Sequence, residues 1–118
     1  MVQHAQEDLE SSKLLLEKDQ YKSAANRSYY AIFHAMRAVL ALNNIDSKRH
    51  SGIISSFQRI YIKTGIFDKD YSKIITDSFK IRSDSDYDDF YIVSKDKVKE
   101  QILNAEKFIE VVKKYLKI

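Results

Sequence analysis

The chain has no cysteine and no proline, and its only glycines are Gly52 and Gly65. Without cysteine there is neither a disulfide framework nor a thiolate metal site. Sandwiches and barrels turn often, and tight turns draw on glycine and proline, so their scarcity argues against all-β architectures. Long helices joined by few connections are expected instead. No apolar run approaches the roughly 20 residues that cross a bilayer, and the opening MVQHAQEDLE lacks the pattern of a signal peptide. A cytoplasmic protein with no membrane partner is the expectation.

What remains is the composition of one folded unit. The chain is 118 residues long, 44% hydrophobic and 31% charged, which suits a globular domain rather than a disordered chain. Its formal charge of +3 permits a nucleic-acid partner without demanding one. No linker, repeat or low-complexity tract divides it, so residues 1–118 read as a single domain.

Apolar spacing predicts the elements. A first amphipathic helix spans about Val2 to Lys18, and a second and longer one about Tyr21 to Leu42, ended by Asn43, Asn44 and Asp46. A third covers Ser51 to Lys63 and stops at Gly65. A fourth starts at a cap on Asp68 or Asp70 and loses its pattern in IRSDSDYDDF, where Ser and Asp favour turns. The last, capped by Ser94, carries the stripe Val98, Ile102, Ala105, Ile109, Val112, Leu116. The expected fold is all-α, an up-and-down antiparallel bundle of four to five helices with the second at its centre.

That second helix carries an unusual arc. At about 100° per residue and with Arg27 at zero, His34 falls near −20°, Tyr30 near −60°, Arg37 near −80° and Asn26 near −100°. The remaining circumference is mostly apolar. Five hydrogen-bonding side chains thus share one face, supplying mostly donors and the positive charge of two arginines. Phosphate or carboxylate suits such a set. The ordinary reading is a solvated edge or an internal network, with Asn26 and Arg37 paired to acids on neighbouring helices.

Two further polar sets stand outside it. SKRHSG (residues 47–52) places Lys48, Arg49 and His50 at the start of the third helix, where backbone donors favour anions, though a solvated loop is the commoner outcome. RSDSDYDD (residues 82–89) clusters carboxylates without EF-hand spacing, so an exposed acidic turn is expected there rather than a metal site. Asp84 or Asp86 is expected to pair with an arginine of the second helix, which would bring Arg82 and Tyr87 beside the stripe. No phosphate-cradling glycine loop, zinc-protease motif or nucleophile elbow is present, and no cofactor or metal is expected.

Taken together, YKSAANRSYYAIFHA beginning at Tyr21, KRHSGIISSF, and RSDSDYDDF resemble the HEPN domains, small helical proteins of prokaryotes. The resemblance covers nearly the whole chain and implies a helical bundle, usually a homodimer, with a polar groove at or near the dimer interface. It implies a nucleotide- or RNA-binding module, often partnered by a minimal nucleotidyltransferase in a toxin–antitoxin arrangement. On that basis the candidate ligand-binding residues are Asn26, Arg27, Tyr30, His34, Arg37, His50, Arg82, Asp86 and Tyr87.

Active members of the family are metal-independent endoribonucleases whose site is an arginine, four to six residues, then histidine. Here the positions after Arg82 are Tyr87, Asp88 and Asp89, none of them histidine. An enzyme reading therefore needs Arg82 with His34, or with His50, standing in for the missing imidazole. A third reading is a purely structural helical dimer or docking protein, its polar stripe serving as internal glue.

Overall fold

The computed structural model describes residues 2–88 and 90–118. They form five α-helices: α1 (Val2–Glu17), α2 (Tyr21–Leu40), α3 (His50–Phe57), α4 (Asp70–Tyr87) and α5 (Lys95–Leu116). Among the described residues no helix is long and apolar enough to cross a membrane.

α1 and α2 make a hairpin. The chain turns within three residues because Asp19 adopts a left-handed conformation (φ 58°), after which the Gln20 carbonyl accepts the first helical hydrogen bond of α2 from Ala24. The pairing runs antiparallel: the Ser12 hydroxyl donates to the Ala24 carbonyl (2.6 Å), and four residues earlier Asp8 meets Arg27. Small residues permit this closeness. Ala24, Ala25, Ala31 and Ala35 are fully or almost fully buried and let neighbouring backbones approach α2.

From the other side α5 locks onto the same stretch. The buried Gln101 amide donates to the Ala25 carbonyl (3.0 Å) and the Ser28 hydroxyl (2.6 Å). α2 packs against α1, α3, α4 and α5 alike and is the centre of the bundle. Between Ala24 and Leu40 only Asn26, Arg27, Tyr30, His34 and Arg37 escape full burial. They are the same five residues that helical periodicity sets on one arc.

Three boundaries depart from the sequence expectation. α2 ends at Leu40 and tightens into a 3-10 turn, Ala41–Asn43, closed by a left-handed Asn44. The third helix begins at His50 and changes at Phe57 into a π-helical segment, Gln58–Ile62, before Gly65 (φ 82°) ends it. α4 does not dissolve in SDSDY but continues to Tyr87. Ile81 docks in the core, and the i,i+4 pairs Lys80–Asp84 (3.1 Å) and Arg82–Asp86 (3.0 Å) hold the exposed acids on the helix surface. Such pairs favour helix over the local turns that Ser and Asp otherwise form.

The start of α5 follows the expectation. Ser94 has extended backbone and its hydroxyl accepts from the Lys97 N–H at 3.1 Å. Ser94→Ala should cost about 1 kcal/mol, read as a lower urea midpoint with an unchanged slope.

Candidate functional site

The half-buried arc of α2 is covered by an aromatic and cationic assembly drawn from three helices. Tyr29, adjacent to the arc and fully buried, is its hub. Its hydroxyl shares a 2.8 Å hydrogen bond with His50 Nδ1, and its ring lies beneath the Arg82 guanidinium, 5.5 Å from centroid to Cζ. His50, at the first turn of α3, stacks on Phe33 with centroids 4.2 Å apart and meets Tyr30 edge to face. Tyr30 lies under both Arg27 (4.7 Å) and Arg82 (5.9 Å). These are cation–π distances, and they hold flat guanidinium groups against flat rings.

The turn that leads into α3 depends on one glycine. Ser47 folds back on the helix start, where its hydroxyl accepts from the Arg49 N–H (3.2 Å), and a Cβ on Gly52 would lie 2.9 Å from Ser47 Cβ.

Each arginine of the site also holds an internal carboxylate. Arg27 donates to Asp8 at 3.2 Å and Arg37 to Asp46 at 2.9 Å. Arg82 Nε lies 3.0 Å from Asp86 Oδ2, yet the pair lacks hydrogen-bond geometry and the Nε–H is buried without a hydrogen-bond partner. Asp46 and Asp86 are largely exposed, whereas Asp8 is buried.

The structure thus brings together Arg27, Tyr30, His34, Arg37, His50 and Arg82, and Asn26 continues their stripe one position before Arg27. Two expectations fail. Asp86 and Asp84 pair with Arg82 and Lys80 on their own helix rather than with an arginine of α2, because α4 stays helical and presents its i,i+4 partners first. Tyr87 is 86% exposed at the end of α4 and takes no part in the ring assembly. Asp89 lies outside the described residues.

Of the two histidines offered as substitutes after Arg82, His50 shares both Tyr29 and Tyr30 with that arginine. His34 instead turns toward α1, where it stacks on His4. Tyr29, Phe33, His4 and Asp8 were not singled out by the sequence reading. The i,i+4 spacing of His4 and Asp8, on a helix face shared with Ser12, was the available signal.

Comparison with known proteins gives the family. The HEPN domain model matches residues 1–115. The chain belongs to the HEPN family. Relatives of this HEPN domain include the protein named "Putative toxin MJ0605" of Methanocaldococcus jannaschii, 35% identical over 99% of this chain and 87% of the relative. A "UPF0332 protein" of Thermotoga maritima is 34% identical over 95% of this chain and 85% of its own. "Putative toxin MJ0142", also of Methanocaldococcus jannaschii, is 29% identical over 98% and 79%.

The electrostatics of this cluster favour the neutral form of His34 and His50. Burial lowers the His50 pKa, and Arg82 and Arg37 add to the effect. Burial also lowers that of His34, helped by His4, Arg37 and Arg27 and opposed by Asp8. The Tyr29 hydroxyl is pushed up by its burial and stays protonated, with Arg82 opposing the shift.

A pH dependence follows from these directions. The ordinary imidazole value is 6.5, and both groups titrate below it when folded. As pH falls through that value the unfolded chain binds protons first, so stability is lost on acidification and recovered as pH rises. The melting temperature should therefore fall between about pH 7 and pH 5, and His50→Gln should flatten that slope. Circular-dichroism melts across the range test it.

Proposed function

We propose that this HEPN domain is a toxin-like module that binds single-stranded RNA along the half-buried polar arc of α2. One observation carries the reading: Arg27 and Arg82 lie on tyrosine rings while His50 and Phe33 stack beside them. Guanidinium groups donate to phosphate oxygens in bidentate fashion, and the partly exposed rings of Tyr30 and His50 beside them suit an unstacked base. The names of the two Methanocaldococcus relatives support a toxin-like role. In this reading the chain acts as a homodimer in the cytoplasm, with a minimal nucleotidyltransferase as its partner.

The test is binding of a fluorescent oligoribonucleotide, followed by anisotropy. Saturable binding that weakens steeply as salt rises is the expected result. Binding of a mononucleotide with equal affinity would redirect the reading to a nucleotide site. A folded protein that ignores RNA at low salt would overturn it in favour of a docking protein, its arginine–carboxylate pairs serving only as glue.

A second reading is favoured by the His50–Tyr29–Arg82 arrangement. In a ribonuclease, His50 would act as acid or base at the 2′-hydroxyl or leaving oxygen, with Arg82 stabilising charge on the phosphorus. Tyr29 is then the positioning residue that fixes the imidazole through the 2.8 Å hydrogen bond. Cleavage of RNA in the presence of chelator, lost in His50→Ala while binding persists, would establish this over binding alone.

A further inference from the structure

At the open end of the α1–α2 hairpin, beside the Tyr30 edge of the ring assembly, three side chains converge. His4 and Asp8 lie one turn apart on α1, and His34 reaches them from α2. One donor atom from each lies within 4.8 Å of the others. Asp8 is 8% exposed, and its two oxygens are treated unequally. Oδ1 accepts from Arg27 at 3.2 Å, while the buried Oδ2 has no hydrogen-bond partner. It faces His34 Nε2 at 3.6 Å, beyond hydrogen-bond range.

A buried carboxylate oxygen left without a donor is costly, and such an atom calls for an occupant. We propose that His4, Asp8 and His34 bind a divalent transition ion of the Zn²⁺ class. Two imidazoles and one carboxylate are donors that such ions prefer, whereas Mg²⁺ and Ca²⁺ need more oxygen ligands than the three residues provide. Metal–ligand bonds of about 2.0–2.2 Å set tetrahedral donors roughly 3.3–3.6 Å apart. The Asp8–His34 separation of 3.6 Å already meets that spacing.

His4 must move. Its ring now stacks on His34, 4.2 Å away and 11° from parallel, so the two rings do not yet aim at one point. His4 is exposed, and a rotamer change there meets little packing resistance. Arg27 supplies the outer contact that a ligating carboxylate usually has, fixing Asp8 through its other oxygen. Burial favours the neutral form of His34, whose lone pair is the one a metal needs. Three protein ligands leave a fourth position for water or an anion, and the nearby Arg27 and Arg37 favour the anion. These residues lie outside the acidic segment 82–89, and the proposal stands whether or not RNA binds.

The experiment uses the untagged chain, freed of metal with chelator and dialysed. Zn²⁺ is titrated by calorimetry and Co²⁺ by visible absorption. One ion per chain is expected, with the intense ligand-field bands of tetrahedral Co²⁺ and a raised melting temperature with Zn²⁺ but not with Mg²⁺. His4→Ala, an exposed substitution that leaves the core intact, should weaken Zn²⁺ affinity at least about tenfold, as should His34→Gln. Glu10→Gln, an exposed change on α1, should leave it unaltered. Absence of one-to-one binding overturns the proposal. So does unchanged Zn²⁺ affinity in both histidine variants, which would assign the ion to adventitious surface groups.

Discussion

Arg82→Ala is expected to lower RNA affinity by about 10- to 100-fold, the equivalent of the roughly 1.5–3 kcal/mol assigned to hydrogen bonds with charged groups. Arg82 is not a floppy surface cation. Its side chain is 23% exposed and its guanidinium rests between the faces of Tyr29 and Tyr30. Its Nε–H is buried and makes no hydrogen bond, although Asp86 Oδ2 lies 3.0 Å from Nε. Held against two rings, the guanidinium is already ordered, so a ligand phosphate that meets it avoids part of the ordering cost that a flexible arginine incurs.

Two companion variants make the result diagnostic. Arg82→Lys keeps the charge but loses the planar fork and the stacking, so it should recover the salt dependence and only part of the affinity. Asp86→Asn removes the carboxylate 3.0 Å from Arg82 and should tighten binding. If anisotropy titrations show Arg82→Ala binding like the parent, with its circular dichroism unchanged, the α4 wall has no part in the site.

The second large effect is on stability. Phe57→Ala should cost about 3–5 kcal/mol, a large share of the roughly 5–15 kcal/mol that holds a domain together. Phe57 is fully buried, and its ring centroid lies 5.4 Å from Tyr61, 5.3 Å from Phe67 and 5.6 Å from Phe108. These rings come from α3, the π-helical segment, the loop after it and α5, so one truncation loosens four parts of the chain. The Phe67 backbone is held in place by its N–H, which donates to the Tyr61 carbonyl at 2.7 Å. The melting temperature should fall by roughly 10–20 °C. Phe57→Leu, which keeps most of the volume, should cost far less.

The arc on α2 was legible in the sequence because it depends only on helical periodicity. Arg27, Tyr30, His34, Arg37 and Asn26 occupy one face for a local reason, and the structure leaves the same five incompletely buried. The Ser94 cap of α5 and the central place of α2 were legible on similar grounds. The partners of the arc were not. That His50 stacks on Phe33 and shares Tyr29 with Arg82 depends on how α3 and α4 dock, which no local pattern encodes. Tyr29 reads as plain core in a sequence and becomes a hub only once both helices arrive. The acidic end of α4 misleads for a related reason. Serine and aspartate propensities favour a turn, but Ile81 burial and two i,i+4 pairs outweigh them.

Arg27, Arg37 and Arg82 each hold a carboxylate of their own chain. On the proposed function, an anion that binds at Arg27 or Arg37 must displace a resident, so the site would work as an ion exchanger. A lone phosphate replaces one internal pair with one external pair and gains little. A chain of phosphates is different: once its first contact is made, the next is intramolecular and benefits from a high effective concentration. Arg27 and Arg37 are ten residues apart on one helix, about 15 Å along its axis, farther than a single nucleotide reaches. On the proposed RNA-binding function, the paired arginines would therefore favour a strand over the mononucleotides around it.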